Sequence, residues 1–152
     1  MELILWRHAE AEDRGKDSDV DAARELTKKG RKQAERIAAW LGPRLPKSTR
    51  ILVSPAIRTL QTVEPLARDF ETSEEVGLAA TSRSVLRAAG WPRGEGVVLV
   101  VGHQPTLGEV AADLLGAPEG LSIRKGAAWW FSSRGEGEVL LRAVMDAETL
   151  EG

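Results

Sequence analysis

Only two histidines occur in the 152 residues, and each follows a short apolar run. His8 ends the stretch Leu3-Ile4-Leu5-Trp6-Arg7-His8, and His103 ends Val97-Val98-Leu99-Val100-Val101-Gly102-His103. Runs of this kind read as strands buried on both faces. Ligands of open α/β sheets bind at the carboxyl ends of the strands, so two such strands can deliver both imidazoles to one crevice. A neutral imidazole attacks phosphorus well and forms a phosphoramidate that water then hydrolyses.

A phosphoryl group is highly anionic, so this chemistry needs cationic donors around it. Arg7 adjoins the first histidine and supplies a planar fork that binds two oxygens and stays charged. Arg58 stands in Ser54-Pro55-Ala56-Ile57-Arg58, directly after the strand candidate Arg50–Val53. That places it in the first turn of a helix, whose amino end adds N–H groups to the same anion site. At the second histidine, Gly102 permits close backbone approach and Gln104-Pro105 turns the chain into the next helix. A histidinium at position 103 would donate to the phosphate. Beside a dianion its pKa is expected above the ordinary value of about 6.5.

The elements that position these residues are legible as alternating strands and helices. Strands are expected at Leu3–Trp6, Arg50–Val53, Val97–Val101, Ala127–Phe131 and Val139–Val144. The last two alternate more and flank the turn-rich Ser132-Ser133-Arg134-Gly135-Glu136-Gly137, which reads as a hairpin at an antiparallel edge. Thr27 is the expected N-cap of an amphipathic helix with Ala34, Ile37, Ala38 and Leu41 on one face, stopped by Gly42-Pro43. Further helices are expected from Ala56 to Asp69, kinked or shortened by Pro65, over Ser82–Ala89, and from Thr106 to Leu115 with Gly116 as C-cap. Strand–helix alternation means right-handed crossovers and a mostly parallel sheet between helical layers. Arg14–Ala22 is polar and reads as a mobile loop, and the tail from Asp146 to Gly152 as partly disordered. Among the five tryptophans, Trp6, Trp40 and Trp129 read as packing residues, while Trp130 or Trp91 is the candidate for an exposed docking patch.

Composition narrows the class. A chain of this length forms one domain, residues 1–152, with a full hydrophobic core. The net charge of −2 offers no basic field for nucleic acid or membrane. Zero cysteines exclude disulfides, a thiolate nucleophile and a cysteine-ligated metal. The amino terminus lacks a signal sequence and the first apolar run is too short to span a bilayer, so the cytoplasm is the expected compartment.

The order Arg7-His8, Arg58, His103 resembles the histidine phosphatase superfamily, the phosphoglycerate-mutase-like group. Arg-His-Ala stands here where many members have Arg-His-Gly. With Glu10-Ala11-Glu12, Leu26-Thr27-Lys28-Lys29-Gly30-Arg31, Ser54-Pro55-Ala56-Ile57-Arg58-Thr59 and Val101-Gly102-His103-Gln104-Pro105, the chain is most similar to the SixA-like phosphohistidine phosphatase branch. The resemblance implies a three-layer α/β/α fold with a mostly parallel central sheet and an antiparallel edge strand. It implies His8 as the nucleophile that becomes phosphorylated, with Arg7, Arg58 and His103 binding the phosphoryl group, and neither metal nor cofactor. It further implies a phosphohistidine-bearing protein, such as a histidine-phosphotransfer domain, as partner.

The general acid is less evident. Glu71, Glu74, Glu75 and Glu95, in the segment before the second histidine, read as solvated surface. Asp21, with Arg24 three residues on, is the candidate that orients substrate or donates a proton, and Glu10 is expected to pair with a nearby arginine. A phosphohistidine leaving group needs little acid, because its imidazole is already protonated near neutrality. A phosphatase of small phosphate esters is the alternative, and a non-catalytic phosphate-binding module stands behind it.

Overall fold

The computed structural model describes residues 1–13, 18–135 and 137–150. Its strands are β1 (Glu2–Arg7), β2 (Arg50–Val53), β3 (Glu71–Thr72), β4 (Val97–Gly102), β5 (Ala128–Ser133) and β6 (Val139–Met145). They form one sheet in the order β3-β2-β4-β1-β5-β6. β3, β2, β4 and β1 run parallel, and β5 and β6 add antiparallel at one side. The helices are α1 (Ser18–Ala22), α2 (Lys28–Leu41), α3 (Ile57–Val63), α4 (Ser82–Ala89) and α5 (Thr106–Leu115).

Consecutive apolar residues in β1, β2 and β4 follow from burial of both sheet faces. Side chains alternate across a strand. Ile4, Trp6, Ile51, Val53, Leu99 and Val101 meet Ile37, Ala38 and Leu41 of α2 and Val63 of α3. On the opposite face Leu3, Leu5, Leu52, Val98 and Val100 meet α4 through Val85 and Ala89, and α5 through Leu107, Val110 and Ala111. The result is the expected three-layer α/β/α arrangement. Each large aliphatic side chain withdrawn in this way contributes about 1.5–3 kcal/mol.

Two close approaches seat the helices on neighbouring backbone. Thr27 caps α2, its Oγ1 accepting from Gly30 N at 3.0 Å and donating to Glu10 Oε1 at 2.9 Å. A Cβ on Gly30 would stand 2.0 Å from the Glu10 carbonyl oxygen, so glycine lets α2 lie directly on the chain leaving β1. Gly108 plays the same part in α5, where a Cβ would stand 1.8 Å from the Leu121 carbonyl oxygen.

The structure departs from the expectations in five places. The helix expected to reach Asp69 ends at Val63, and Pro65 sits in a 3₁₀ turn over Glu64–Leu66, since proline cannot donate within the helix. β3 is two exposed residues, Glu71 and Thr72, too short and polar to leave an apolar signature. Part of the polar stretch read as a loop is α1, while residues 14–17 lie outside the described residues. Of the tail read as partly disordered, residues 146–150 pack on the domain, with Ala147 buried and Asp146 Oδ1 accepting from Thr149 N at 2.9 Å, while residues 151 and 152 lie outside the described residues. Trp130 is buried, stacked edge-on to Trp40 at 6.2 Å and donating from Nε1 to Glu2 Oε1 at 2.8 Å. Both faces of β5 are covered, so alternation sends Trp129 and Trp130 into opposite cores and exposes neither as a docking patch.

Candidate active site

Register brings the site together. β1 and β4 are parallel neighbours with Arg7 opposite Gly102, and His8 N donates to Gly102 O at 3.0 Å. His8 and His103 therefore emerge from adjacent strand ends, with ring centroids 5.5 Å apart and planes tilted by 53°. That separation is close to the spacing of paired strands, about 4.8 Å. β2 flanks β4 on the other side, Val53 opposite Val101, and Ser54 N donates to Val101 O at 3.0 Å. Ser54 is thus carried to His103, its Oγ 2.7 Å from Nε2.

The His8 ring is oriented by its own backbone. Nδ1 lies 2.7 Å from the Ala9 carbonyl oxygen, which can only accept, so Nδ1 carries the proton and the lone pair lies on Nε2. Ala9 is held in turn by its N–H on Thr62 Oγ1 of α3 at 3.0 Å. Burial pushes the His8 pKa down to about 3, against the pull of the Ala9 hydrogen bond, and His103, Arg58 and Arg7 depress it further. The ring is neutral at physiological pH, as a nucleophile must be.

His103 departs from the expectation of a raised pKa. Burial and the neighbouring Arg58 lower it to about 4, because the protein's own groups near this ring are mostly cationic. The expectation presumed a dianion beside it, and only such a ligand reverses the sign. Ser54 Oγ accepts from Ala56 N at 3.3 Å. When its own proton goes to Nε2, the His103 ring proton resides on Nδ1, which has no protein partner.

The two arginines are held differently. Arg58, in the first turn of α3 as expected, is only 3% exposed. Its Nη1 donates to Asp21 O at 2.6 Å and Nη2 to Asp21 Oδ2 at 3.3 Å. Asp21 Oδ1 accepts from Arg24 Nε at 2.8 Å, and Arg24 Nη1 reaches Glu12 O at 3.0 Å. Burial pushes the Asp21 carboxyl up, but Arg58 and Arg24 outweigh it and hold the group below the usual carboxylate range. It is an ionised acceptor that grips Arg58. Arg7 Nη1 donates to the Ile123 carbonyl at 2.9 Å. α3 has only seven residues, and the N–H of its N-cap Ala56 donates to Ser54 Oγ.

Three buried side-chain polar atoms lack any partner among the described residues: Arg7 Nε, Arg58 Nε and His103 Nδ1. A buried donor without an acceptor costs about 1–3 kcal/mol. All three belong to residues lining one crevice of about 390 Å³, together with His8, Asp21 and Lys125. Such a crevice is built to receive an anion beside a neutral imidazole.

Other candidates fall outside it. Glu71, Glu74, Glu75 and Glu95 are exposed, as expected, with Glu71 on Arg50 at 2.7 Å and Glu75 on Arg87 at 3.5 Å. Glu10 bonds to Thr27 instead of the expected arginine, because the cap of α2 reaches it first. Among the described residues no group of three or more His, Asp or Glu side chains stands ready to hold a metal. Ser54 and Lys125 were not read as site residues from the sequence. Their place follows from β4 lying between β1 and β2, and from the loop before β5 passing back beneath β1.

Known proteins resemble this chain in sequence and in fold. Residues 3–81 match the histidine phosphatase superfamily (branch 1). A phosphohistidine phosphatase SixA homolog of Haemophilus influenzae is 34% identical over 138 residues, covering 81% of this chain and 82% of that protein. The phosphohistidine phosphatase SixA of Escherichia coli K12 is 29% identical over 126 residues, covering 75% and 74%. A solved structure of the protein histidine phosphatase SixA complexed with tungstate has a TM-score of 0.80 at 23% identity, covering 99% of this chain and all of that one. At that identity the structural likeness speaks for the fold.

Proposed function

Because the chain belongs to the histidine phosphatase superfamily, in its SixA-like branch, we propose that it removes phosphate from phosphohistidine displayed on a signalling or phosphocarrier protein. Residues 1–152 act as one domain, in the cytoplasm, without metal or cofactor. The observation that carries this reading is the trio of buried unpartnered donors on Arg7, Arg58 and His103 around a neutral His8.

His8 Nε2 attacks phosphorus in line, its new P–N bond forming as the bond to the substrate imidazole breaks. The substrate ring, protonated on its second nitrogen, departs as neutral imidazole. Phosphorylated His8 keeps its Nδ1 proton, with the positive ring stabilised by the Ala9 carbonyl at 2.7 Å. Water then attacks phosphorus, the P–Nε2 bond breaks, and His8 returns to its neutral tautomer with release of phosphate and a proton. Arg7, Arg58 and His103 stabilise the charge on the transferring oxygens through both steps. Asp21, ionised, positions Arg58 and the substrate. Among the described residues no protonated acid stands in the crevice, and bond exchange between two imidazoles needs none.

The test is turnover of phosphohistidine against sugar phosphates, with rapid quench at neutral or alkaline pH. Wild-type protein should accumulate an acid-labile phosphoenzyme and prefer phosphohistidine, and His8→Ala should lose both. Full activity in His8→Ala refutes the nucleophile. Better turnover of sugar phosphates would make the protein a phosphatase of small esters.

A further inference from the structure

The catalytic crevice does not end at its own rim. Lys125 forms part of its wall and also part of a neighbouring depression of about 250 Å³ shared with Lys29 and Gln33. Lys29 and Gln33 continue into a third depression of about 700 Å³, where Lys28, Lys32 and Arg36 complete the wall. The three share walls and so make one groove, running from the histidines along the outer face of α2. The sequence explains the face: Lys28 and Lys32 are four apart and lie on one side of the helix, while Ile37, Ala38 and Leu41 turn inward.

Among the described residues the groove is more basic than acidic, with Lys28, Lys29, Lys32, Arg124 and Lys125 against Glu10, Asp146 and Glu148 in its wall. Lys28, Lys29, Lys32 and Lys125 are exposed, and among the described residues none of them has a carboxylate within ion-pair distance. The acids in the groove wall have partners other than these lysines, two of them on Arg124 of the same wall. Glu10 accepts from Thr27, and Asp146 and Glu148 flank Arg124 at 3.6 and 3.4 Å. The chain as a whole carries −2, so this concentration of positive charge is local and directional.

We propose that the α2 groove is the docking surface for the protein substrate, and that it selects phosphohistidine proteins whose surface beside the phosphorylated histidine is acidic. The inference rests on the phosphohistidine reading above and adds the character of the partner. A nucleic acid fits less well, because the groove opens into a pocket for a single phosphoryl group and, among the described residues, its walls hold no Trp, Tyr or Phe on which bases could stack. Complementary charge at this position raises the rate of encounter and sets the register that brings the phosphate over His8.

The test uses a small helical protein with one histidine, phosphorylated by phosphoramidate, in two versions with either glutamates or glutamines around that histidine. Full-length enzyme is compared with the Lys28→Glu/Lys32→Glu variant, whose changes lie on an exposed helix face away from the catalytic residues. The variant should lose about 10- to 100-fold in kcat/KM on the acidic probe. It should change less than twofold on the neutral probe and on free phosphohistidine. Wild-type turnover of the acidic probe should fall steeply with salt, and the variant's should not. Binding of the unphosphorylated probes, read by fluorescence anisotropy, should show the same acidic preference and its loss in the variant. Equal losses on both probes, or no loss on the acidic one, overturn the proposal. Failure of wild-type protein to turn over free phosphohistidine counts against the proposed function alone, since the anisotropy comparison still decides the groove. Retention of a DNA oligonucleotide with unchanged probe binding would reassign the groove to nucleic acid.

Discussion

Mild acid should destabilise this protein through its two histidines. In the unfolded chain each titrates near the reference value of about 6.5, whereas in the fold His8 lies at about 3 and His103 at about 4. Both are nearly inaccessible, at 7% and 6% exposure, so solvent screening discounts little. The unfolded state binds more protons between these limits, so stability rises with pH across the window. The histidines cost nothing above pH about 6.5, and stability is lost as pH falls toward about 4 for His103 and about 3 for His8. Each pH unit below the unfolded pKa removes about 1.4 kcal/mol per ring, so at pH 5 the loss is roughly 2 kcal/mol each and about 4 kcal/mol for the pair. Against a total stability of about 5–15 kcal/mol, that is a large fraction. Urea denaturation at pH 7 and pH 5, for wild type and for a His8→Asn/His103→Asn variant, isolates the imidazoles from carboxylates titrating lower. The variant should lose about 4 kcal/mol less than wild type between the two conditions. Parallel losses, within about 1 kcal/mol, would refute the burial argument and with it the neutral resting state of His8, the proposed nucleophile.

Four further outcomes are expected. Arg58→Ala should lower kcat/KM by roughly 10²–10³-fold, whereas Asp21→Asn should cost less and slow esters and phosphoramidates alike, because an ionised Asp21 positions Arg58 and holds no proton to give; a loss confined to esters would restore it as an acid. Ser54→Ala strands a buried His103 Nε2 and should reduce kcat by about tenfold and move the acid limb of the kcat profile, with Ser54→Thr recovering most of both; an unmoved profile would make the contact merely structural. Exhaustive chelation should leave the rate unchanged, since the crevice presents three guanidiniums and a lysine with one committed carboxylate; restoration of a lost rate by magnesium or zinc would contradict this.

What could be read from the chain was whatever leaves a local trace. Leu3–Trp6, Arg50–Val53 and Val97–Val101 announce themselves because burial on both faces demands apolar residues at consecutive positions, and the motif residues follow as their immediate neighbours. Ser54 was visible only as the lead-in to Arg58, since its contact with His103 depends on β4 inserting between β1 and β2, which no local pattern encodes. β3 escaped because two exposed residues carry no periodicity. Trp130 was misjudged because alternation gives the direction of a side chain and not whether α2 covers that face. The resting pKa of His103 depends on what surrounds it in space, and the sequence names the neighbours without the burial.

The shared ladder between β1 and β4 also works as a ruler. The distance between the two imidazoles is set by strand spacing and by the pairing of Arg7 with Gly102, and no loop enters into it. A slip of one residue would displace a ring by about 3.3 Å and turn it to the opposite face of the sheet. The strands therefore tolerate no insertion or deletion near their ends. Beyond Ala9, the loops that follow them can lengthen, shorten or change charge without altering the spacing of the two imidazoles. New substrate specificities in such a scaffold are reached by editing the rim, and an engineer can transplant a foreign rim while leaving the two strand ends untouched.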